Sequence, residues 1–391
     1  MRDPIIIVIG TRPEGIKMAP VYHALKRAGI PVILCCTFQH TDLLRDVLAL
    51  FKITPDIALN VMRTGQDLFY VTQAVLQEMR TILARVKPSL VMVHGDTTTA
   101  FATALAAFYS KIPVAHVEAG VRSGSISAPF PEEMNRSFIS LIARYNFAPT
   151  EHCARNLRAI GVANEAIAVI GNTVVDALRW IQQAIATGDL VLAPALRYWL
   201  EKQKNNGHKI VLLTMHRRES FGIGIARILG SVSSYARAHP HVYFLFPVHP
   251  NPQVRQAVER SGIAQEPNVW VTDPLLYHDL VHTLSQVDCV ATDSGGIQEE
   301  AASLGIPALV LREQTDRPEA LDAGLACMSG YETSAITKGL DQLLAKCPLS
   351  STSVYGDGTA ASRIAEILMS DFCNQWYRYN GPRVSGVTTE Q

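Results

Sequence analysis

A chain of 391 residues is long enough for two to three domains of ordinary size and a substantial buried core. Its 35 Lys plus Arg balance 35 Asp plus Glu, so no global basic field exists to collect nucleic acid or an anionic membrane, and any bound anion must be caught locally. Hydrophobic residues make up 48% and charged residues only 18%, which excludes disorder and points to a sheet buried on both faces.

The chain opens with MRDPIIIVIG, a strand-like run without the basic region and cleavage site of a secretion signal. No apolar run approaches the roughly 18 residues of a membrane span, so a cytoplasmic location is expected. Seven Cys form no C-x-x-C pair, and adjacent Cys35 and Cys36 point to opposite faces of a strand; neither a disulfide framework nor a thiolate metal site is expected. Short β-branched runs closed by Gly or Pro then alternate with helical stretches, the pattern of β-α-β units. In the first half, strands are predicted at 5–9, 32–37, 90–93, 114–117 and 146–148, with helices at 16–28, 67–86 and 171–186. The polar stretch 187–208, mixed in period, is the candidate linker. A second set of strands follows at 209–214, 243–248, 269–272, 289–292 and 308–311, and 358–380 is a terminal helix expected to pack back on the amino-terminal domain. The expected fold is α/β, with two Rossmann-like domains, 1–186 and 209–357, facing each other across a cleft.

Ligands of parallel α/β domains sit beyond the carboxyl ends of strands, so polar residues just after a strand carry the functional reading. In GTRPEGIK, Gly10 lets the chain turn close to a ligand, and Arg12 and Lys17 bring two cations to a helix start that already favours anions; both also fit as solvated surface charges. HGDTTT places Asp96 before a hydroxyl cluster that equally suits a helix cap. HVEAG leaves Glu118 at the end of the next strand, where two neighbouring carboxylates would raise each other's pKa. In PFPEEMNR, Pro131 starts a helix whose positive end suits Glu132 and Glu133, for chemistry or for dipole compensation alone.

In the second half, TMHRRES sets His216 beside two Arg at a strand end, an arrangement suited to phosphate. TDSGGIQEE offers Ser294, Gly295 and Gly296 as a backbone anion cradle at a helix start, with Glu300 one turn on to accept hydrogen bonds from a ribose diol. No H-E-x-x-H, G-x-S-x-G, Walker or G-x-G-x-x-G pattern occurs at these positions, so no metal or nicotinamide is expected. Carboxylates in one half and phosphate-binding groups in the other fit a nucleotide-linked substrate spanning the cleft, with acid–base chemistry at the amino-domain end.

The segments GTRPE-x-I-K-MAP, VHGDTTT, HVEAG, P-x-PEE-x-NR, GNTV-x-DAL, T-x-HRRES, P-V-H-x-NP, DSGGIQEE, RPEA and YGDG follow in this order over nearly the whole chain, and in them it resembles the non-hydrolysing UDP-N-acetylglucosamine 2-epimerases. The resemblance implies a fold of the GT-B type, a homodimer, no cofactor, and reversible conversion of UDP-GlcNAc to UDP-ManNAc for surface polysaccharide synthesis. It implies elimination of UDP to bound 2-acetamidoglucal, then readdition. By the same resemblance Asp96, Glu118 and Glu132 match carboxylates that move the C2 proton, and His216 matches a His facing the UDP phosphates. Arg12, Lys17, Ser294, Gly295, Gly296, Glu300 and Arg317 match ligand contacts, while Gln39 and His40 match part of a second, activating UDP-GlcNAc site. The sequence departs from relatives at Gly15, where Ala is usual, at Leu275 and Leu280, and at Asp46, where Gln is frequent. Competing readings are a hydrolysing relative releasing ManNAc and UDP, a nucleotide-sugar binding protein without catalysis, and a glycosyltransferase; the last two give no use to three carboxylates at the sugar.

Overall fold

The computed structural model describes residues 3–38, 41–59, 61, 63, 65–217, 222–346 and 352–380, with the backbone alone described at 41–42 and 372–380. Its strands are β1 (Ile5–Ile9), β2 (Val32–Cys36), β3 (Ile57–Ala58), β4 (Leu90–His94), β5 (Val114–Val117), β6 (Tyr145–Ala148), β7 (Ile167–Val169), β8 (Lys209–Thr214), β9 (Val242–Pro247), β10 (Val269–Thr272), β11 (Cys289–Thr292), β12 (Ala308–Val310) and β13 (Ala326–Met328). Among the described residues they form two sheets, β3-β2-β1-β4-β5-β6-β7 and β10-β9-β8-β11-β12-β13. Every pairing within them is parallel. Helices link the strands, so both sheets are Rossmann-like and the fold is α/β of the GT-B type.

The central strands form because they are apolar on both faces: all five residues of β1 are buried, with Ile5, Ile7 and Ile9 in one core and Ile6 and Val8 in the core on the other side. Cys35 and Cys36 divide between the same two cores, as adjacent strand residues must. β3, β7 and β13, absent from the sequence reading, are two or three residues long and lie at or next to sheet edges. The stretch 187–208 is not a plain linker either. It contains the helix Pro194–Asn205, started by its Pro and held by Leu196, Leu200 and Gln203, which are buried at helical spacing.

The helix Thr173–Ala186 belongs to both halves, placing Ala177, Leu178 and Ile181 in the first core and Val174 and Val175 in the second. The terminal helix Ala360–Asn380 packs on it and on the helix Arg12–Arg27, and sends Ala360, Ala361, Ile364, Ala365 and Leu368 into the core that holds Ile5 and Leu25. Asp176 accepts the backbone N–H groups of Ala360 and Ala361 at 3.2 and 3.0 Å, closing two of the orphan donors at the start of that last helix. At Gly15 a Cβ would stand 2.6 Å from Leu44 Cδ1, so the missing methyl makes room for the helix Thr41–Leu50.

In both sheets the strand order reverses at the middle, between β1 and β4 and between β8 and β11. Loops leaving these strands diverge there and open the crevice in which α/β proteins bind ligands.

Candidate functional site

The turn after β1 is built around Glu14, a fully buried carboxylate that sequence reading left without a role. Its Oε2 accepts Gly10 N (2.8 Å), Thr11 N (2.7 Å) and Thr11 Oγ1 (2.8 Å), and its Oε1 accepts Thr97 Oγ1 (2.7 Å) from the loop after β4. One side chain thus fixes the loop of Arg12 against the loop of Asp96. Gly10 is required for a different reason from the one expected: a Cβ there would stand 2.6 Å from the hydroxyls of Thr37 and Thr99, so close packing of the protein itself demands glycine.

Glu118 follows β5 with φ of 65°, the left-handed region that a non-glycine residue adopts at a cost on the order of 1–3 kcal/mol. This backbone turn carries its carboxylate into a ring of four buried charges. Lys17 Nζ donates to Glu118 and, at 2.8 Å, to Glu299; Arg317 donates through Nε to Glu299 and stands with Nη2 3.5 Å from Glu118. Lys17 and Glu118 come from the first half, Glu299 and Arg317 from the second. His94 Nε2, 3.6 Å away, and Asn172 Nδ2, 3.3 Å away, complete the surroundings of Glu118 Oε2.

At Glu118 the expected raising by a neighbouring carboxylate is not met, because the group has its own cations. Burial does push the Glu118 carboxyl up, but Lys17, His94 and Arg317 outweigh it and hold the group well below the usual glutamate range. Asp96 instead receives Arg136, through Nη2 and through Nε at 2.9 Å. Arg136 continues at 3.5 Å to Asp316, which meets Arg317 at 3.0 Å, so ionic contacts run without a break from Asp96 to Glu299. The paired glutamates of the PEE segment divide their roles. Glu133 is buried and takes Ser123 N at 3.1 Å and Arg136 at 3.4 Å, a structural task. Glu132 is partly exposed beside Asp96, and burial together with that neighbouring charge raises its carboxyl above the ordinary value, against Arg217 and Arg136.

Across the cleft, the buried Asp293 at the end of β11 gathers His216 N (3.0 Å), Arg217 N (2.9 Å) and, at 3.2 Å, His216 Nδ1, so the imidazole is oriented with Nε2 outward. Burial opposes ionisation of Asp293, yet these bonds keep its carboxyl below the usual range. Ser294 caps the helix Gly295–Ser303 with its own N–H held by Thr292 Oγ1 at 2.9 Å. At Gly296 a Cβ would meet Ser294 Oγ at 4.0 Å, so no close packing within the protein requires glycine there. Arg217 Nε is buried without a hydrogen-bond partner among the described residues, an anion-seeking group at the same end. Glu300 is buried beside Tyr277 and Arg12, and burial raises its carboxyl to about 7. Arg12 reaches across the cleft to the carbonyl of Leu275 at 3.3 Å.

The structure therefore brings Glu118, Lys17 and Arg317 together, sets Asp96 and Glu132 side by side, and groups His216 with the cradle Ser294 to Gly296. Lys17 and Arg317, expected as free ligand cations, are engaged with carboxylates. Glu14, Arg136, Asp293, Glu299 and Asp316 were missed; the one legible signal was the paired Glu of QEE, whose members point about 100° apart on a helix and cannot share a ribose. Gln39 and His40 lie outside the described residues. Among the described residues no cluster of three His, Cys, Asp or Glu side chains is placed to hold a metal ion, and no helix is long and apolar enough to cross a membrane.

The family profile described as UDP-N-acetylglucosamine 2-epimerase matches residues 23–369. The chain belongs to this family. A curated UDP-N-acetylglucosamine 2-epimerase of Escherichia coli K12 is 43% identical over 375 residues, covering 94% of this chain and 98% of the relative. The structure of the Neisseria meningitidis UDP-GlcNAc 2-epimerase bound to UDP-GlcNAc superposes with a TM-score of 0.87 at 38% identity, covering 94% of this chain and all of that one. An S. aureus protein solved with UDP gives a TM-score of 0.85 at 33% identity over 99% of this chain and all of its own. In this member of the 2-epimerase family the profile match begins after β1 and covers every other strand of both sheets, the shared helix Thr173–Ala186 and the terminal helix as far as Met369.

Proposed function

We propose that the chain interconverts UDP-GlcNAc and UDP-ManNAc by the non-hydrolysing route. A carboxylate takes the C2 proton as the C1–O bond to UDP breaks, leaving bound 2-acetamidoglucal and UDP. UDP then adds back at C1 while a proton enters C2 from the other face. A C2–H beside an amide is a poor acid, so the base acts in concert with departure of a stable diphosphate. The observation that carries this reading is the division of the polar groups: Asp96 and Glu118, just after strands of the first sheet, and Glu132, at the start of the helix Glu132–Ile142, belong to one half, and His216 and Arg217, after β8, with Ser294 and the helix start at Gly295 and Gly296, after β11, belong to the other. Side-chain exposures of 1–10% around the Glu118 ring support return of UDP over attack by water. In this scheme His216, Arg217 and the cradle hold the diphosphate, Glu300 the ribose diol, and Lys17 and Arg317 the charge of Glu118. A homodimer is part of the proposal, and the exposed Phe108, Tyr109, Phe138 and Leu141 on the helices Thr98–Tyr109 and Glu132–Ile142 support it.

Incubation with UDP-GlcNAc in deuterated water, without added metal or NAD, should give UDP-ManNAc carrying deuterium at C2. Product without deuterium at C2 removes the elimination, and accumulation of free ManNAc with UDP assigns the hydrolysing reaction.

Gly296→Ala tests the cradle separately. Ala is favoured over Gly in a helix by roughly 1 kcal/mol, so the variant should unfold no earlier than the parent. Its methyl occupies the approach of the diphosphate, and UDP affinity should fall by about tenfold or more, the equivalent of one hydrogen bond to a charged group. Calorimetric titration with UDP and a thermal melt check both halves of the expectation; unchanged affinity would place the diphosphate elsewhere.

A further inference from the structure

The buried ring around Glu118 contains one carboxylate to which the chemistry above gives no task. Glu299 is 1% exposed and uses one oxygen for each cation of the ring, Oε2 for Lys17 at 2.8 Å and Oε1 for Arg317 Nε. Glu118 is bonded in the same divided way, with Oε2 to Lys17 and Oε1 3.5 Å from Arg317. Two cations are thus shared by two carboxylates. We propose that Glu299 is a positioning residue for proton transfer at C2: by drawing Lys17 and Arg317 partly onto itself, it keeps Glu118 from neutralising both cations alone and so preserves the basicity Glu118 needs. This rests on the proposed epimerase reading and adds to it a residue that touches no substrate.

The sign of the effect follows from charge. With Glu299 made neutral, Lys17 leans on Glu118 alone and Arg317 on Glu118 and Asp316, so the ionised form of Glu118 is further stabilised and it becomes a weaker base. Other groups facing Glu118 are His94 from β4, His116 from β5, Cys153 from the helix Glu151–Ala159, and the uncharged Asn172. Burial holds His116 down at about 4 and Cys153 up at about 12, so neither changes charge between pH 5 and 9. The substitution leaves all four in place.

The test is the pH profile of kcat for deuterium incorporation at C2 from UDP-GlcNAc, in the wild type, Glu299→Gln and Glu299→Asp. Glu299→Gln should move the acidic limb to lower pH by about half a unit or more and lower the plateau roughly 3- to 10-fold, as a weaker base does. Glu299→Asp keeps the charge at shorter reach and should move the limb the same way by less, so whichever variant folds is informative. A ring that merely clasped the two halves would raise KM or lower the melting temperature with the limb unmoved, and an unmoved or upward limb overturns the inference. A wild type that incorporates no deuterium overturns the epimerase reading and this inference with it; a normal wild type beside an unmoved limb in the variants overturns the inference alone.

Discussion

Glu118→Gln should lower turnover at saturating UDP-GlcNAc by about 100-fold or more, the scale of a lost acid–base group, while UDP still binds. Asp96→Asn and Glu132→Gln should share the loss of turnover, but the three variants should differ in stability. The Glu118 amide leaves the buried Lys17 with Glu299, a carboxylate that Arg317 also uses, and removing one partner from a buried ion pair costs about 3 kcal/mol. Arg136 keeps Glu133 and Asp316 when Asp96 is neutralised, so the second variant should lose less. Glu132 already has its carboxyl raised by burial, and its amide should melt within roughly 0.5 kcal/mol of the parent. Steady-state kinetics with UDP titration and denaturant melts separate these outcomes. A Glu118→Gln enzyme that kept its turnover and lost UDP affinity would make Glu118 a binding group.

UDP affinity should rise about tenfold between pH 6 and pH 8. The Glu300 carboxyl sits at about 7, raised by burial and held back by Tyr277, Lys17 and Arg12. Only its ionised form accepts two hydrogen bonds from a ribose diol, and the ionised fraction grows from roughly a tenth to nine tenths across that interval, with apparent affinity following it. Binding should therefore release a proton near pH 7, visible as a dependence of the titration heat on the ionisation enthalpy of the buffer. Glu300→Gln should bind more weakly at pH 8 and lose this part of the pH dependence. A variant with the wild-type pH slope would remove Glu300 from the ribose.

The strands nearest the cleft were legible because β1, β4, β8 and β11 are buried on both faces and leave an unbroken apolar run in the sequence. β3, β7 and β13 were not, since two or three part-exposed residues carry neither run nor alternation. Asp96, Glu118, His216 and the Ser-Gly-Gly segment were visible as polar residues just after a strand, and Glu132 as an acid at a helix start. Their partners were hidden for a physical reason. Lys17 and Glu299 are 282 positions apart, and no local pattern tells that a helix-start lysine will meet the first glutamate of a QEE segment rather than a phosphate. The same holds for Arg136 and Asp316, 180 positions apart. Sequence placed the charges at the cleft, and only the fold decided which charge faces which.

The return of the helix Ala360–Asn380 to the first sheet sets the order in which this protein can be made. Ile5, Leu25 and Ala177 leave the ribosome well before Ile364 and Leu368, yet all five share one core. The second sheet, whose strands end at Met328 and whose core is complete with Tyr355, can finish packing while the first still lacks one wall. The first sheet is thus begun before the second and completed after it. A nascent chain must keep the apolar face of the helix Arg12–Arg27 covered until Ile364 and Leu368 are made, and loss of the helix Ala360–Asn380 would be felt at the helix Arg12–Arg27 rather than where the cut was made.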